Sequence, residues 1–129
     1  MGKSKKLPQK LLTDTELEMM RVLWMRTEGT VHDVLEGLPT ERKLAYTSVS
    51  TILRILEQKG VLDSRKDGRG HIYFPKLDKK EYELRSLGHL MRNVFGGEPA
   101  HLVSRLLELK GLDEAELKTI RSLLESKGK

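Results

Sequence analysis

Residues 44–60 read LAYTSVSTILRILEQKG, and residues 61–75 follow at once with VLDSRKDGRGHIYFP. The first stretch has the spacing of one amphipathic helix, predicted over residues 46–59. Val49, Ile52, Leu53 and Leu56 recur every three or four residues and share a face. Thr47, Ser50, Thr51 and Arg54 share the opposite face. A helix that merely met water would carry more Glu and Lys there, because Ser and Thr are mediocre helix formers. Small hydroxyl side chains with one Arg suit a surface pressed against nucleic acid. The backbone can approach closely, and hydroxyls bond phosphates or base edges. Lys59-Gly60 ends the helix, since Gly takes the left-handed conformation freely.

The second stretch predicts a hairpin, or wing, over residues 61–75. Val61 and Leu62 begin one strand, Lys66-Asp67-Gly68-Arg69-Gly70 form the turn, and His71 to Phe74 return. Ile72 and Phe74 alternate with His71 and Tyr73, the two-residue period of a half-covered hairpin. Arg65, Lys66 and Arg69 place positive charge at the tip. A basic hairpin tip is a weak sign by itself and a stronger one directly after such a helix.

Upstream, Thr13 and Glu16 have the spacing of a capping box, in which each residue satisfies the other's free N–H. Leu17, Met20, Leu23 and Trp24 follow on one face of a helix expected to reach Arg26, with Gly29 past its end and Trp24 as a core anchor. Thr30 caps a short second helix that buries Val31, Val34 and Leu35 and stops at Gly37 and Pro39. His32 and Asp33 are expected to face solvent. Two packed helices, a reading helix and a basic hairpin are the layout of a winged helix-turn-helix.

Downstream the chain changes character. Asp78 and Glu81 form another capping pattern, followed by an apolar stripe of Leu87, Leu90, Met91, Val94 and Phe95 that ends at Gly96-Gly97. Pro99 suits the start of a fifth helix carrying Leu102, Val103, Leu106 and Leu107. Asp113 and Glu116 cap a sixth, with Leu117, Ile120, Leu123 and Leu124 on one side. Three short helices with this much aliphatic surface barely make a core alone, so burial against a second copy is expected. The predicted organisation is a basic flexible arm at residues 1–10, a winged-helix domain at 11–77 and a helical dimerisation domain at 78–129. The fold class is mainly α with a small β wing.

Composition agrees. The 129 residues carry a net charge of +5, with 33% charged and 5% aromatic residues, so the core must be mostly aliphatic. Residues 1–77 hold 14 Lys/Arg against 10 Asp/Glu, whereas residues 78–129 hold 10 against 9. The basic excess lies in the half with the suspected reader, as a polyanionic partner would require. Cysteine is absent, which removes disulfides, thiolate metal sites and thiol catalysis. No apolar run approaches the roughly 18 residues of a membrane span. The first ten residues, MGKSKKLPQK, are basic with no hydrophobic stretch after them, so they do not read as a secretory signal. The four histidines are scattered over separate elements, and His89 and His101 are expected to be structural or exposed. No phosphate-binding glycine loop, HExxH or nucleophile triad is present, so neither enzymatic activity nor a cofactor is expected.

With these elements placed, the chain resembles the BlaI/MecI/CopY penicillinase-repressor family over about residues 11–126. The segments that carry the resemblance are LTDTELEMMRVLW (12–24), LAYTSVSTILRILEQKG (44–60), GRGHIYFP (68–75) and FGG (95–97). The resemblance implies a winged-helix DNA-binding domain joined to a helical dimerisation domain, acting as a homodimeric repressor on palindromic operators in the cytoplasm. By position it implies Tyr46, Thr47, Ser48, Ser50, Thr51 and Arg54 as DNA contacts on the reading helix. Arg65, Lys66 and Arg69 are implied on the wing. The dimer contacts expected from the apolar stripes are Leu87, Leu90, Met91, Val94, Leu102, Val103, Leu106, Leu117, Ile120 and Leu124. Antibiotic-responsive members are released by a membrane sensor-protease that leads to cleavage of an Asn-Phe bond in the fifth helix. Here the matching pair is Arg105-Leu106. Copper-responsive members use C-terminal cysteines, and this chain has none.

Two other readings compete. A small-molecule-responsive regulator would lose DNA binding when a ligand entered the helical domain. A winged helix used only for protein contacts would favour an acidic wing tip and a bulky apolar outer face on the third helix, the reverse of this sequence.

Overall fold

The computed structural model describes residues 11–128, so the basic arm expected over residues 1–10 lies outside them. Among the described residues the order is α1 (Asp14–Arg26), α2 (Val31–Gly37), α3 (Tyr46–Gln58), β1 (Leu62–Asp67), β2 (Gly70–Pro75), α4 (Lys79–Asn93), α5 (Pro99–Glu108) and α6 (Glu114–Lys127). The chain forms two compact units that divide between Ser86 and Leu87, within α4.

In the first unit, both leading helices begin with a reciprocal capping box. The Glu16 amide donates to Thr13 Oγ1 at 3.1 Å, and the Thr13 amide donates to Glu16 Oε1 at 2.9 Å. Thr30 and Asp33 repeat the arrangement at 3.1 and 2.9 Å. Asp33 is therefore not the freely solvated acid the sequence predicts. It caps α2 and also pairs with Arg26 at 3.3 Å, because its position in the first turn aims it back at the cap. His32 is exposed, as expected, beside Glu36.

Met19, Met20 and Leu23 of α1, Val34 of α2, and Val49, Leu53 and Leu56 of α3 are completely buried. Leu38, Val61, Leu62, Tyr73 and Leu77 close the core around them, with Ile52 packed at its margin. Each such aliphatic side chain contributes about 1.5–3 kcal/mol on burial. The core is thus the aliphatic one that the low aromatic content requires.

β1 and β2 pair antiparallel from Leu62–Pro75 to Asp67–Gly70, which leaves Gly68-Arg69 as a two-residue turn. Gly68 sits at φ 61°, a conformation open to Gly at little cost. The alternation read from the sequence left open which face is covered, and the covered one is that of Tyr73. Tyr73 is buried, whereas Ile72 and Phe74 are half-buried. The cause is a backbone bridge outside the hairpin: the Gly29 amide donates to the Tyr73 carbonyl at 3.0 Å, and the Tyr73 amide donates to the Gly29 carbonyl at 2.8 Å. This pairing seats Tyr73 on the core, and Gly29 is itself buried rather than a mere helix stop.

Trp24 is half-buried, its indole N–H donating to the Leu77 carbonyl at 2.9 Å. Its ring lies 6.0 Å from that of Tyr82, whose hydroxyl accepts from the Leu12 amide at 3.1 Å. Tyr82 is buried in this core, so the start of α4 belongs to the first unit. The division therefore falls later than the 77/78 boundary expected from the sequence.

The second unit contains the end of α4 with α5 and α6. Gly96 and Gly97 turn the chain with φ of 64° and 80°. Asp113 and Glu116 cap α6 reciprocally. No residue of α5 or α6 is buried. No helix among the described residues is long and apolar enough to cross a membrane.

Leu53 tests the frame on which α3 rests. Leu53→Ala is expected to lower unfolding stability by about 2–5 kcal/mol, read as a shift in the denaturant midpoint at unchanged slope.

Candidate nucleic-acid interface

The inner face of α3 is fixed by Val49, Leu53 and Leu56, and this leaves its outer face in solvent. Tyr46, Thr47, Ser48, Thr51 and Arg54 are exposed, as the sequence predicts. Ser50 is half-buried, and its hydroxyl accepts from Arg54 Nη2 at 3.5 Å. Ile55 and Gln58 complete the exposed strip. Neither was assigned to the site from the sequence. Ile55 looked like one more aliphatic residue in an apolar run, and only the packing of its neighbours shows that it points outward.

The N-terminus of α3 differs from those of α1, α2 and α6. Ala45 occupies the cap position and has no side-chain oxygen to offer, so no side chain caps this helix. The amides of the first turn, at Tyr46, Thr47 and Ser48, have no carbonyl partner within the helix. They add the positive end of the helix dipole to the exposed face.

α1 holds α3 at both ends. At the entry, Arg42 Nε donates to Glu18 Oε1 at 3.0 Å, and Arg42 Nη2 reaches the Thr15 hydroxyl at 3.4 Å. At the exit, Lys59 Nζ donates to Glu16 Oε2 at 2.7 Å. Lys59 follows the last residue of α3, which ends at Gln58 instead of the expected 59. Burial alone raises the Glu16 carboxyl pKa, but the Lys59 ammonium and the Thr13 amide outweigh it. The net effect holds Glu16 below its ordinary 4.5. The sequence offered no sign of these ties, because Glu16 and Lys59 are far apart in the chain and only the fold brings them together.

The hairpin is tied to the same frame. Ser64 Oγ donates to Glu57 Oε2 at 2.8 Å. Burial raises the phenol pKa of Tyr73, and the nearby Glu57 carboxylate adds to the effect, so the ring stays neutral. Of the three wing cations predicted, Lys66 and Arg69 are exposed with no ion pair among the described residues. Arg65 is engaged: its Nη1 and Nη2 donate to the two carboxylate oxygens of Glu28 at 2.9 Å each. Among the described residues no three His, Asp or Glu side chains converge as a metal site.

This geometry belongs to a winged helix, and comparison with known proteins agrees. A family model described as penicillinase repressor matches residues 12–126. The chain belongs to the penicillinase repressor family. It is 31% identical over 122 residues to the penicillinase repressor of Bacillus licheniformis, a match that covers 94% of this chain and 93% of that protein. It is 36% identical over 108 residues to the transcriptional regulator BlaI of Mycobacterium tuberculosis, covering 81% of this chain and 78% of that one. Among solved structures, the DNA binding domain of the repressor BlaI is similar with a TM-score of 0.52 at 28% identity, over 60% of this chain and 94% of that one. The mainly helical fold with one small antiparallel sheet is thus a winged helix with further helices after it.

Glu16 gives a pH-dependent test of the α1–α3 tie. A carboxyl depressed in the folded state stabilises above its unfolded pKa and loses that contribution as pH falls through the folded value. Glu16→Gln keeps an oxygen for the Thr13 amide but loses the charge facing Lys59, and is expected to cost about 1 kcal/mol at neutral pH, the order by which a charged hydrogen bond exceeds a neutral one. The gap between variant and wild type should close as pH drops below the ordinary carboxylate value, read by urea unfolding at several pH values.

Proposed function

We propose that this chain is a sequence-specific DNA-binding transcriptional repressor that acts as a homodimer on palindromic operators. The observation that carries the reading is α3 itself: an exposed strip of hydroxyls and one Arg, on a helix anchored by three fully buried residues. The family supports the regulatory role, since its named members include a penicillinase repressor and a transcriptional regulator.

In this reading α3 lies in the major groove. Thr47, Ser48, Ser50 and Thr51 bond base edges or phosphates, and the Ile55 side chain can meet a thymine methyl. Arg54 binds a phosphate. The free amides at Tyr46, Thr47 and Ser48 receive another, as helix N-termini do. Lys66 and Arg69 contact the backbone beside the groove. Hydroxyl readers are permissive, so part of the specificity comes from DNA shape.

The second unit supplies the two-fold. Its apolar side chains lack cover: Leu87 is 47% exposed, Leu90 42%, Val94 63% and Leu124 61%. Met91, Leu102, Val103, Leu106, Leu117 and Ile120 are half-buried. A second copy would bury both sets at once, in the symmetric manner of most homo-oligomers. Two reading helices would then meet half-sites about 34 Å apart, one helical turn of DNA. A repressor of this kind works in the cytoplasm, where its DNA is. A sensor or protease that relieved repression would have to act other than at an Asn-Phe bond, since Arg105-Leu106 stands there.

Selection of bound duplexes from a random pool tests the reading directly and should return a palindrome. Recovery of unrelated duplexes with no shared sequence would refute it. On the selected duplex, Arg54→Ala and Arg69→Ala should each weaken binding about 10-fold or more at moderate salt with melting unchanged. Leu106→Glu or Leu124→Glu should shift sedimentation from dimer toward monomer and weaken binding indirectly. A wild type that sediments as a monomer at micromolar concentration would remove the dimer from the proposal.

A further inference from the structure

The wing carries three cations, and the structure treats them differently. Lys66 and Arg69 stand free at or beside the turn. Arg65 does not. Its planar fork meets the Glu28 carboxylate through two parallel bonds of 2.9 Å. This two-pronged geometry fits guanidinium and carboxylate closely.

The strand register shows what the pair spans. Arg65 of β1 lies opposite Ile72 of β2, and Gly29 bridges Tyr73 on the far edge of β2. Glu28 therefore stands on the outer side of β2, and the Arg65 side chain crosses β2 to reach it. A two-stranded hairpin alone is marginally stable in water. The base of this one is secured by the Gly29–Tyr73 bridge and by the Ser64–Glu57 bond. Glu28–Arg65 adds a tie across the full width of the sheet, between the α1–α2 corner and the strand that leads to the tip.

We infer that Arg65 is a positioning residue, braced by Glu28 across β2, and that the wing meets phosphates through Lys66 and Arg69. This rests on the DNA-binding reading above. The pair uses one N–H on each Nη of Arg65, so a phosphate at this residue would have to share the guanidinium with Glu28 and sit close beside a carboxylate. That repulsion disfavours a phosphate contact here relative to Lys66 and Arg69. The hydrogen bond from Arg65 holds the Glu28 carboxyl below its ordinary 4.5, so the acid stays ionised at neutral pH. The intact pair is neutral and adds nothing to the attraction for DNA, whereas Lys66 and Arg69 each add a full charge.

Salt dependence separates the two roles, because each phosphate contact contributes about −0.9 to the log–log slope of affinity against salt. The probe is the duplex recovered by selection. Lys66→Gln and Arg69→Gln should each reduce the slope by about 2 for a dimer with two wings. Arg65→Gln and Glu28→Gln should weaken binding several-fold at the wild-type slope. The exchanged pair Glu28→Arg with Arg65→Glu should recover most of the loss. In the free protein, hydrogen exchange at the wing amides should quicken in both single variants and return in the exchanged pair. A slope reduced by Arg65→Gln as by Lys66→Gln would overturn the assignment. So would tighter binding and a steeper slope in Glu28→Gln, or failure of the exchanged pair to recover binding. A wild type that bound no duplex would sink the DNA reading, while amide exchange would still decide whether the pair braces the wing.

Discussion

The carboxylate of Glu16 serves two helices at once. One oxygen accepts from the Thr13 amide and closes the start of α1, and the other accepts from Lys59 just past the end of α3. Arg42, before α3, reaches back to Glu18 and Thr15 in the same first turns of α1. The reading helix is therefore gripped at entry and exit by one short stretch, while Val49, Leu53 and Leu56 hold its middle. Hydrophobic burial fixes which face of α3 is inward but is non-directional along the axis. The two polar ties limit how α3 can slide or tilt on that greasy surface.

The same division of labour recurs in the wing. Tyr73 provides the burial, and directional bonds from Gly29, Ser64 and Arg65 provide the placement. A helix and a hairpin that contact one rigid double helix must keep a constant separation and angle. The Glu16–Lys59, Ser64–Glu57 and Arg65–Glu28 ties each hold the helix or the hairpin that such a contact would use. The exposed groups that remain, the α3 hydroxyls with Arg54, Lys66 and Arg69, are the ones without such structural duties.

The second unit is organised by a different constraint. Its helices begin with good local signals, including Pro99 at the first turn of α5 and the Asp113–Glu116 box of α6. Local propensity specifies these helices, yet no residue of α5 or α6 is buried. Under the homodimer proposed above, occupancy of DNA would depend on protein concentration as well as on sequence.

Most of what is written in local spacing was legible from the residues, the Asp33 half of the Thr30 capping box excepted. The capping box at Thr13, the stop at Gly60, the heptad-like stripes and the turn at Gly68 all act over a few residues, so pattern alone located the helices, the hairpin and the outer face of α3. The resemblance to the family drew on the same segments. What depended on distant partners was not legible. Tyr73 turned inward because Gly29 pairs with it, Tyr82 joined the first core through Leu12 and Trp24, and Ile55 was left outside by the packing of Leu53 and Leu56. The charge on Arg65 could be read in the sequence, but its commitment to Glu28 could not, because no spacing rule links two residues that meet only across a folded sheet. Short-range order follows from backbone and side-chain preferences between neighbours, whereas the identity of a cation's partner is decided only once tertiary packing has set the distances.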